Sequence, residues 1–364
     1  MTNERRHDRK FATILAVGLA LFAAGFAGGC APKLQTIGPD IEAPMLTDDT
    51  IVMPDGVALP LRRWLPENGA RKPDAVVLAL HGFNDYSRAF ELPADFWIKA
   101  GIATYAYDQR GFGNSEQIGY WPGDERLIED VNVAVGLLRA EHPDTPIFLL
   151  GESMGGAVAM AVLDAPVQPA IDGVVLIAPA VWGRESQGPI ATGALWFFAH
   201  TMPWMKLTGE GLRIVPTDNL DVLLAMQNDP LVLKESRIDA VYGLVGLMDR
   251  SVASVPQMGS VPTLILYGAN EDVLPSGAVM RTLERLPVLP DDRIRIGIYR
   301  SGYHMLLRDL EAAIVWRDVA AWMTDRTQKL PSGADATARR VMAGEIEDDE
   351  DAEDALSTVA EPAT

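Results

Sequence analysis

The stretch Gly-Glu-Ser-Met-Gly at residues 151–155 separates an apolar run at 147–150 from a run of helix-forming residues at 156–163. An apolar strand, a Gly-x-Ser-x-Gly turn and a helix are the three parts of a nucleophile elbow. Small residues on both sides of Ser153 accommodate the strained backbone of such a turn. Ser153 is then at a helix N-terminus, where the Met154 amide and the helix dipole favour a developing oxyanion. The same pentapeptide is also compatible with an ordinary tight turn.

Strands and helices alternate on both sides of this turn. Continuous apolar runs predict buried strands, and segments with apolar residues at helical spacing predict helices. The predicted strands include residues 75–80, 102–107, 147–150, 174–177, 263–267 and 293–299, a hairpin is predicted over 50–64, and the predicted helices include 124–141, 276–286 and 309–324. This alternation predicts an α/β fold, with a mostly parallel central sheet and helices on both of its faces.

The alternation stops between residues 181 and 259, where a helical, strand-poor region holds many aromatic residues. We interpret residues 181–259 as a helical cap inserted over the sheet, so that the core consists of residues 50–180 and 260–328. Residues 30–49 mix proline, glycine and polar residues, a composition typical of a tether. Residues 329–364 contain an acidic run without apolar periodicity, which predicts a disordered acidic tail.

The N-terminus has the pattern of an export signal. In residues 1–29, basic residues precede an uncharged stretch that ends in small residues. Cys30 is the only cysteine of the chain, so an internal disulfide is excluded. The segment resembles a bacterial lipoprotein signal, which implies lipidation of Cys30 and, with Ala31 after it, an outer-membrane anchor facing the periplasm. An uncleaved N-terminal membrane anchor and ordinary cleavage are the alternatives, and all three place the body outside the cytoplasm.

The chain is strongly acidic. Its formal net charge is -19, while hydrophobic residues make up 48% of it. The hydrophobic content predicts a globular body. The charge argues against nucleic acid or an anionic lipid surface as an electrostatic partner, so we expect no nucleic-acid binding.

A serine hydroxyl becomes a nucleophile only when an oriented base takes its proton. The chain has five histidines, and their positions separate them. His304 follows the last predicted strand, where a loop returns to the carboxyl edge of the sheet, and it is the predicted base. The acid that orients this histidine should follow the preceding strand, where Glu271 and Asp272 are both candidates.

Four motifs together resemble the α/β-hydrolase family and, within it, the monoacylglycerol lipase and lysophospholipase-like serine hydrolases. They are His-Gly-Phe at 81–83, Tyr-Asp-Gln-Arg-Gly-Phe-Gly-Asn-Ser at 107–115, Gly-Glu-Ser-Met-Gly-Gly at 151–156 and Gly-Tyr-His at 302–304. The resemblance spans residues 50–325. It implies an α/β-hydrolase fold with a helical cap.

The resemblance also implies roles for individual residues. The acid of the family stands three residues after a glycine and four before a proline, and both spacings select Glu271, although the family usually has aspartate there. Asp272 remains the alternative acid. The backbone amides of Phe83 and Met154 are the implied oxyanion donors. No metal or diffusible cofactor is implied.

Three charged residues within these motifs are interpreted as structural. Asp108 and Arg110 are expected to pair with each other or to bond loop carbonyls beneath the site. Glu152 is expected to point away from the reaction and to pack or form a local salt bridge.

The aromatic residues of the cap bear on the substrate. Trp182, Trp196, Phe197 and Trp204 are candidates for lining an acyl tunnel or for contacting a lipid interface. The alternative is that they form the cap's own core.

Serine in the elbow excludes the dehalogenase and epoxide-hydrolase chemistries of this fold, which place aspartate there. The sequence predicts a serine ester hydrolase that forms an acyl-enzyme, and the resemblance implies a small single-chain lipid ester, a monoacylglycerol or lysophospholipid, as its substrate. Acyl transfer and hydrolysis of short-chain esters by the same triad are alternatives. A non-catalytic surface lipoprotein that binds a partner is the alternative from another class.

Overall fold

The computed structural model describes residues 31–66, 72–209, 213–289 and 293–345. The predicted signal peptide, the predicted lipidation site Cys30 and residues 346–364 of the predicted tail lie outside the described residues. Within the described ranges, no helix has both the length and the apolar character that crossing a membrane requires.

A mixed sheet forms the centre of the protein. Its strands are β1 (Met45–Leu46), β2 (Thr50–Val52), β3 (Ala58–Trp64), β4 (Ala75–Leu80), β5 (Ile102–Tyr107), β6 (Ile147–Glu152), β7 (Gly173–Ile177), β10 (Thr263–Gly268) and β11 (Ile294–Tyr299). They are ordered β1-β2-β3-β5-β4-β6-β7-β10-β11. Strands β1, β2 and β3 pair antiparallel, β3 is antiparallel to β5, and the other pairs are parallel. The predicted α/β fold with a mostly parallel sheet is confirmed.

Helices cover both faces of this sheet, because the continuous apolar runs of its central strands leave two apolar faces to bury. The helices of the described chain are α1 (Glu91–Lys99), α2 (Asp124–Glu141), α3 (Met154–Leu163), α4 (Arg184–Gln187), α5 (Pro189–Thr201), α6 (Leu220–Asn228), α7 (Ile238–Ala253), α8 (Ser276–Glu284), α9 (Ala312–Thr324) and α10 (Ala334–Met342). Helices α2, α3, α7 and α8 bury side chains in one core cluster. Helices α1 and α9 bury theirs in the cluster on the opposite face.

The region predicted as the cap lies between β7 and β10. It consists of helices α4 to α7 and a short antiparallel pair, β8 (Lys206–Thr208) with β9 (Glu235–Arg237). Helix α7 packs on α3 and buries Val245, Leu247 and Met248 in the core cluster of that face. This contact anchors the region to the helix that follows Ser153.

The segment predicted as a tether, residues 30–49, lies along the body in its described part. The Gln35 amide donates to the Trp121 carbonyl at 2.9 Å, and the buried Gln35 side chain donates to the Tyr120 carbonyl at 3.1 Å. Met45–Leu46 adds a strand to the sheet by pairing with β2. Backbone hydrogen bonds therefore hold the described part of the predicted tether to the core.

The prediction of a disordered tail from residue 329 is wrong for residues 334–342, which form helix α10. This helix packs against β11, and Ala334 and Ala338 are buried beside it. The helix covers a sheet edge that would otherwise expose unpaired backbone groups. The apolar residues that hold it are alanines, which give little hydrophobic signal beside the acidic run.

Candidate active site

Ser153 lies in a strained turn between β6 and α3. Its φ of 53° and ψ of -115° are rare for a residue with a side chain. The turn needs glycine at two places, since a Cβ on Gly151 would lie 2.2 Å from the Gly155 carbonyl oxygen and one on Gly155 would lie 2.0 Å from that of Leu80. Ser153 is the N-cap of α3, so the first amides of the helix face the space around its hydroxyl.

The loop of residues 81–83 lies beside the serine. A Cβ on Gly82 would be 3.4 Å from Ser153 Cβ and 3.9 Å from its Oγ. His81 fixes this loop, because its Nε2 accepts from the Gln109 amide at 2.9 Å and its Nδ1 donates to the Gly82 carbonyl at 2.8 Å. Burial lowers the pKa of His81, which favours the neutral imidazole that both bonds require. The loop that contains Phe83, one predicted oxyanion donor, therefore lies against the serine that precedes Met154, the other.

The imidazole of His304 is oriented by a carboxylate. His304 Nδ1 donates to Glu271 Oε2 at 2.7 Å, and the two side chains are only 8% and 7% exposed. Glu271 Oε1 accepts from the amides of Val273 and Leu274 at 2.8 and 3.0 Å. Because the proton is on Nδ1, the Nε2 lone pair of His304 is available as a base.

The structure brings Glu271 to His304 and directs Asp272 elsewhere. Asp272 is exposed, and its Oδ2 accepts from the Val215 amide at 2.9 Å. The loops that follow β10 and β11 approach closely, since a Cβ on Gly268 would lie 2.1 Å from the Gly302 carbonyl oxygen. This approach sets the carboxylate of Glu271 against the imidazole.

A cavity of about 660 Å³ contains both Ser153 and His304 in its lining. This volume is typical of sites for small molecules. Its other lining residues are mostly apolar and come from both the core loops and the cap, among them Phe83, Trp182, Ala191, Leu195, Ile214, Leu223, Met226, Leu244, Met248 and Met305. The arrangement offers a nucleophile and a base at the wall of an apolar chamber.

Of the four cap aromatics predicted to bind substrate, only Trp182 lines this cavity. Trp196, Phe197 and Trp204 are 52%, 51% and 59% exposed and lie outside its lining, so contact with a lipid interface stays a prediction for these three. They do not form a buried core of the cap either. The inward face of α5 carries other residues of the lining, Ala191 and Leu195, which are four positions apart and therefore share one side of the helix.

Sequence reasoning missed a buried ionic cluster in the same cavity. Arg308 donates from Nη1 to Asp85 Oδ2 at 2.7 Å and from Nη2 to Glu152 Oε2 at 3.0 Å, and all three residues line the cavity. Burial raises the pKa of Glu152. Glu152 therefore forms an ion pair, as predicted, but its partner is distant in sequence and it does not point away from the site. The sequence signal for this cluster was proximity to two motifs. Asp85 lies two residues after His-Gly-Phe at 81–83, and Arg308 lies four residues after Gly-Tyr-His at 302–304.

Asp108 and Arg110 are structural, although they do not pair with each other. Asp108 Oδ1 accepts from the Ser87 amide at 3.0 Å and its Oδ2 from the Asn114 amide at 2.8 Å. Arg110 forms ion pairs with Asp55 at 2.9 Å and Asp130 at 2.7 Å. Among the described residues, no group of three or more His, Cys, Asp and Glu side chains is placed to hold a metal ion.

The sequence and the fold have counterparts in known proteins. The family model described as "Serine aminopeptidase, S33" (Hydrolase_4) matches residues 71–311, which is more than half of the chain. The chain belongs to this family. The predicted resemblance to α/β-hydrolases of the monoacylglycerol lipase type is confirmed, and the protein is a serine hydrolase of the carboxylic ester class.

This serine hydrolase is similar to two lipases along most of their length. It is 25% identical to the monoacylglycerol lipase of Mycolicibacterium smegmatis over 282 residues, which cover 74% of this chain and 93% of the relative. It is 27% identical to the monoglyceride lipase of Homo sapiens over 284 residues, covering 76% and 90%.

Solved structures show the same fold as this serine hydrolase. The monoacylglycerol lipase of Paleococcus ferrophilus matches with a TM-score of 0.60 at 21% identity, covering 74% of this chain and 99% of the other. A soluble variant of the monoglyceride lipase from Saccharomyces cerevisiae matches with a TM-score of 0.62 at 17% identity, covering 83% and 100%. Both matches confirm the α/β-hydrolase fold.

Proposed function

We propose that this serine hydrolase cleaves single-chain lipid esters, monoacylglycerols or lysophospholipids, with Ser153 as nucleophile, His304 as base and Glu271 as the orienting acid. The observation that carries the proposal is the apolar cavity that has Ser153 and His304 in its lining, together with the 2.7 Å bond from His304 to Glu271. The similarity to monoacylglycerol lipases supports the lipid substrate.

In the first half of the reaction, Ser153 Oγ attacks the ester carbonyl while His304 Nε2 takes the hydroxyl proton. Glu271 stabilises the imidazolium that forms and holds the imidazole in its tautomer. The amides of Phe83 and Met154 bind the oxyanion of the tetrahedral intermediate, and each such donor is typically worth about 3 kcal/mol of transition-state stabilisation. The intermediate collapses as the alcohol leaves with the proton from His304, and the acyl group stays on Ser153.

In the second half, water attacks the acyl-enzyme. His304 Nε2 takes one proton from the water, and its oxygen adds to the acyl carbon. The second tetrahedral intermediate releases Ser153 Oγ, which recovers its proton from His304. The products are a fatty acid and the alcohol released earlier, so the ester and one water are consumed.

The charges of the cavity favour an ester over the N-terminal peptide bond that the family description suggests. An aminopeptidase needs an unpaired carboxylate to bind the substrate ammonium, since a buried charge requires a partner. The carboxylates in the cavity lining, Asp85 and Glu152, are already paired with Arg308. A long apolar acyl chain matches the remaining lining.

The test combines active-site labelling with a substrate series. Full-length wild type and Ser153→Ala are treated with a fluorophosphonate probe and then assayed on p-nitrophenyl esters of graded chain length, a monoacylglycerol, a lysophospholipid and an aminoacyl anilide. We expect labelling that depends on Ser153, hydrolysis of the lipid esters, and a loss of about a millionfold in turnover for Ser153→Ala. Labelling that survives this substitution, or turnover of the anilide alone, would contradict the proposal.

We further propose that the enzyme is exported and lipid-anchored in the cell envelope through Cys30. Exposed apolar residues of the cap, including Ile190, Trp196, Phe197 and Trp204, support contact with a lipid surface, because tryptophan is favoured at such interfaces. Cells are fed an alkyne-tagged fatty acid and the protein is fractionated. We expect the tag on wild type, with loss of both tag and membrane fractionation in Cys30→Ser, whereas retention of both in the variant contradicts a lipid anchor.

A further inference from the structure

One guanidinium joins three segments that are far apart in sequence. Arg308 reaches Asp85, 223 residues away, and Glu152, 156 residues away. The three residues are 8%, 5% and 2% exposed. The cluster is therefore a buried contact between segments that are distant in sequence.

Each member of the cluster is adjacent to one part of the proposed catalytic machinery. Asp85 stands two residues after the oxyanion donor Phe83, and its amide donates to the Gly82 carbonyl at 3.3 Å. Glu152 precedes Ser153 directly. Arg308 follows His304 by one turn, and its amide donates to the Met305 carbonyl at 2.7 Å.

Main-chain hydrogen bonds connect these segments to other parts of the protein. The His304 loop is bonded to the Glu271 loop, from the Asn270 amide to the Gly302 carbonyl at 2.9 Å, and to the cap, from the Met305 amide to the Pro216 carbonyl at 2.9 Å. The Ser153 amide donates to the Ile177 carbonyl of β7 at 2.9 Å. Arg308 thus adds a side-chain link between the base, the nucleophile and the oxyanion loop.

Stability alone is a weak reason for such a cluster. Removing charges from water costs several kcal/mol per ion, and buried ion pairs can often be replaced by apolar residues without loss of stability. Here two carboxylates share one guanidinium, and neither Glu152 Oε1 nor Arg308 Nε has a hydrogen-bond partner among the described residues. What the planar guanidinium does provide is fixed geometry, because its two nitrogens hold two carboxylates at set positions.

We propose that Arg308 is a positioning residue that sets the placement of His304 relative to Ser153 and the oxyanion loop. This proposal rests on the proposed function, since it assumes that these groups carry the reaction. Misplacement of reacting groups by about 1 Å can lower the rate about 100-fold. An ammonium in place of the guanidinium retains the charge and loses the link to one of the two carboxylates.

The test compares two buried arginines of the same kind. Arg308→Lys and Arg110→Lys each alter an arginine that bridges two carboxylates, and Arg110 lies outside the lining of the cavity. For both variants, kcat and KM on a soluble p-nitrophenyl ester, the rate of fluorophosphonate labelling and the melting temperature are measured. We expect Arg308→Lys to lower kcat and the labelling rate about 100-fold with KM within twofold of wild type. Arg110→Lys should lower the melting temperature by a similar amount and leave kcat unchanged.

A second pair covers the case in which Arg308→Lys does not fold. Glu152→Gln retains an oxygen that accepts from Arg308 Nη2, and Glu152→Ala removes it. We expect the glutamine variant to keep kcat within about tenfold of wild type and the alanine variant to lose about 100-fold.

Three outcomes overturn the positioning role: equal kcat losses for the two lysine variants, a change confined to KM, or equal kcat for the two Glu152 variants. Failure of the proposed function is distinguishable, because wild type itself would then show no Ser153-dependent labelling. If wild type is labelled and Arg308→Lys retains its kcat, only the positioning role is wrong.

Discussion

At the scale of single residues, the proposed acid is a glutamate where the family usually has aspartate, and its two oxygens have separate tasks. Glu271 Oε1 holds its own loop through the amides of Val273 and Leu274, and Oε2 accepts from His304. Asp272 holds the cap segment instead, through the Val215 amide. The family spacing from the preceding glycine and to the following proline selects Glu271, which is also the carboxylate that accepts from His304. This spacing counts backbone positions, so it does not depend on side-chain length.

We expect Glu271→Gln to lower kcat about 10,000-fold, because the amide cannot stabilise the imidazolium and presents the wrong hydrogen-bond pattern to His304. Asp272→Asn should lower kcat less than tenfold, since it retains an acceptor for Val215 and the imidazole bonds to Glu271. Steady-state kinetics on one soluble ester compare the two variants directly. Similar losses in both would contradict Glu271 as the orienting acid.

At the scale of secondary-structure elements, the two sides of cap helix α5 have different surroundings. Ala191 and Leu195 line the cavity, whereas Ile190, Trp196 and Phe197 lie outside its lining and are exposed. The sequence suggested that the large aromatics contact substrate, because size and apolar character were the only available signals. Which side of an almost wholly apolar helix turns inward depends on its tertiary contacts, and the sequence does not contain that information in readable form.

We expect Leu195→Trp to shorten the acyl chain that the enzyme accepts, because the larger side chain occupies part of the apolar chamber. The kcat/KM for a C12 or C16 p-nitrophenyl ester should fall about tenfold, consistent with the 1–3 kcal/mol that a poor fit in an apolar pocket costs. The value for the C4 ester should stay within twofold. Trp196→Ala is the matched control and should leave the chain-length profile on soluble esters unchanged; a profile that shifts with Trp196 would contradict the assignment of the inward face.

Helix α10 gives a second prediction at this scale. Ala338 is buried against the sheet edge, and Ala336 on the same helix is exposed. Ala338→Glu should destabilise the protein by about 2–3 kcal/mol, because it forces an unpaired carboxylate into an apolar contact. Ala336→Glu should stay within about 0.5 kcal/mol of wild type. Equal free energies of unfolding for the two variants in urea would indicate that the helix is not docked.

At the scale of the whole molecule, the sheet brings together groups that the sequence keeps far apart. The oxyanion loop follows β4, Ser153 follows β6, Glu271 follows β10 and His304 follows β11, so all four lie at one carboxyl edge. This arrangement was predictable, since strands and motifs both leave local signals. The Asp85–Arg308–Glu152 cluster was not, because ion pairs between residues more than 150 positions apart depend on loop conformations that local pattern does not specify.

The buried carboxyl group of Asp309, near His304, also affects the stability of the whole protein. Burial raises the pKa of Asp309 from 3.8 to about 6, although its Oδ2 accepts from the Tyr303 amide at 2.8 Å. An acid with a raised pKa in the folded state contributes its full stability below the unfolded pKa, and that contribution is lost as the pH rises through about 6. The cost of the charged form is therefore present at pH 8 and absent near pH 4.

We expect Asp309→Asn to remove this cost while keeping an acceptor for Tyr303. Relative to wild type, the free energy of unfolding of the variant should increase between pH 4 and pH 8, by on the order of 1 kcal/mol after allowance for solvent screening. Urea titrations at several pH values measure this difference. A variant that loses stability relative to wild type as the pH rises would show that the Asp309 carboxylate is stabilising in its charged form, contrary to this account.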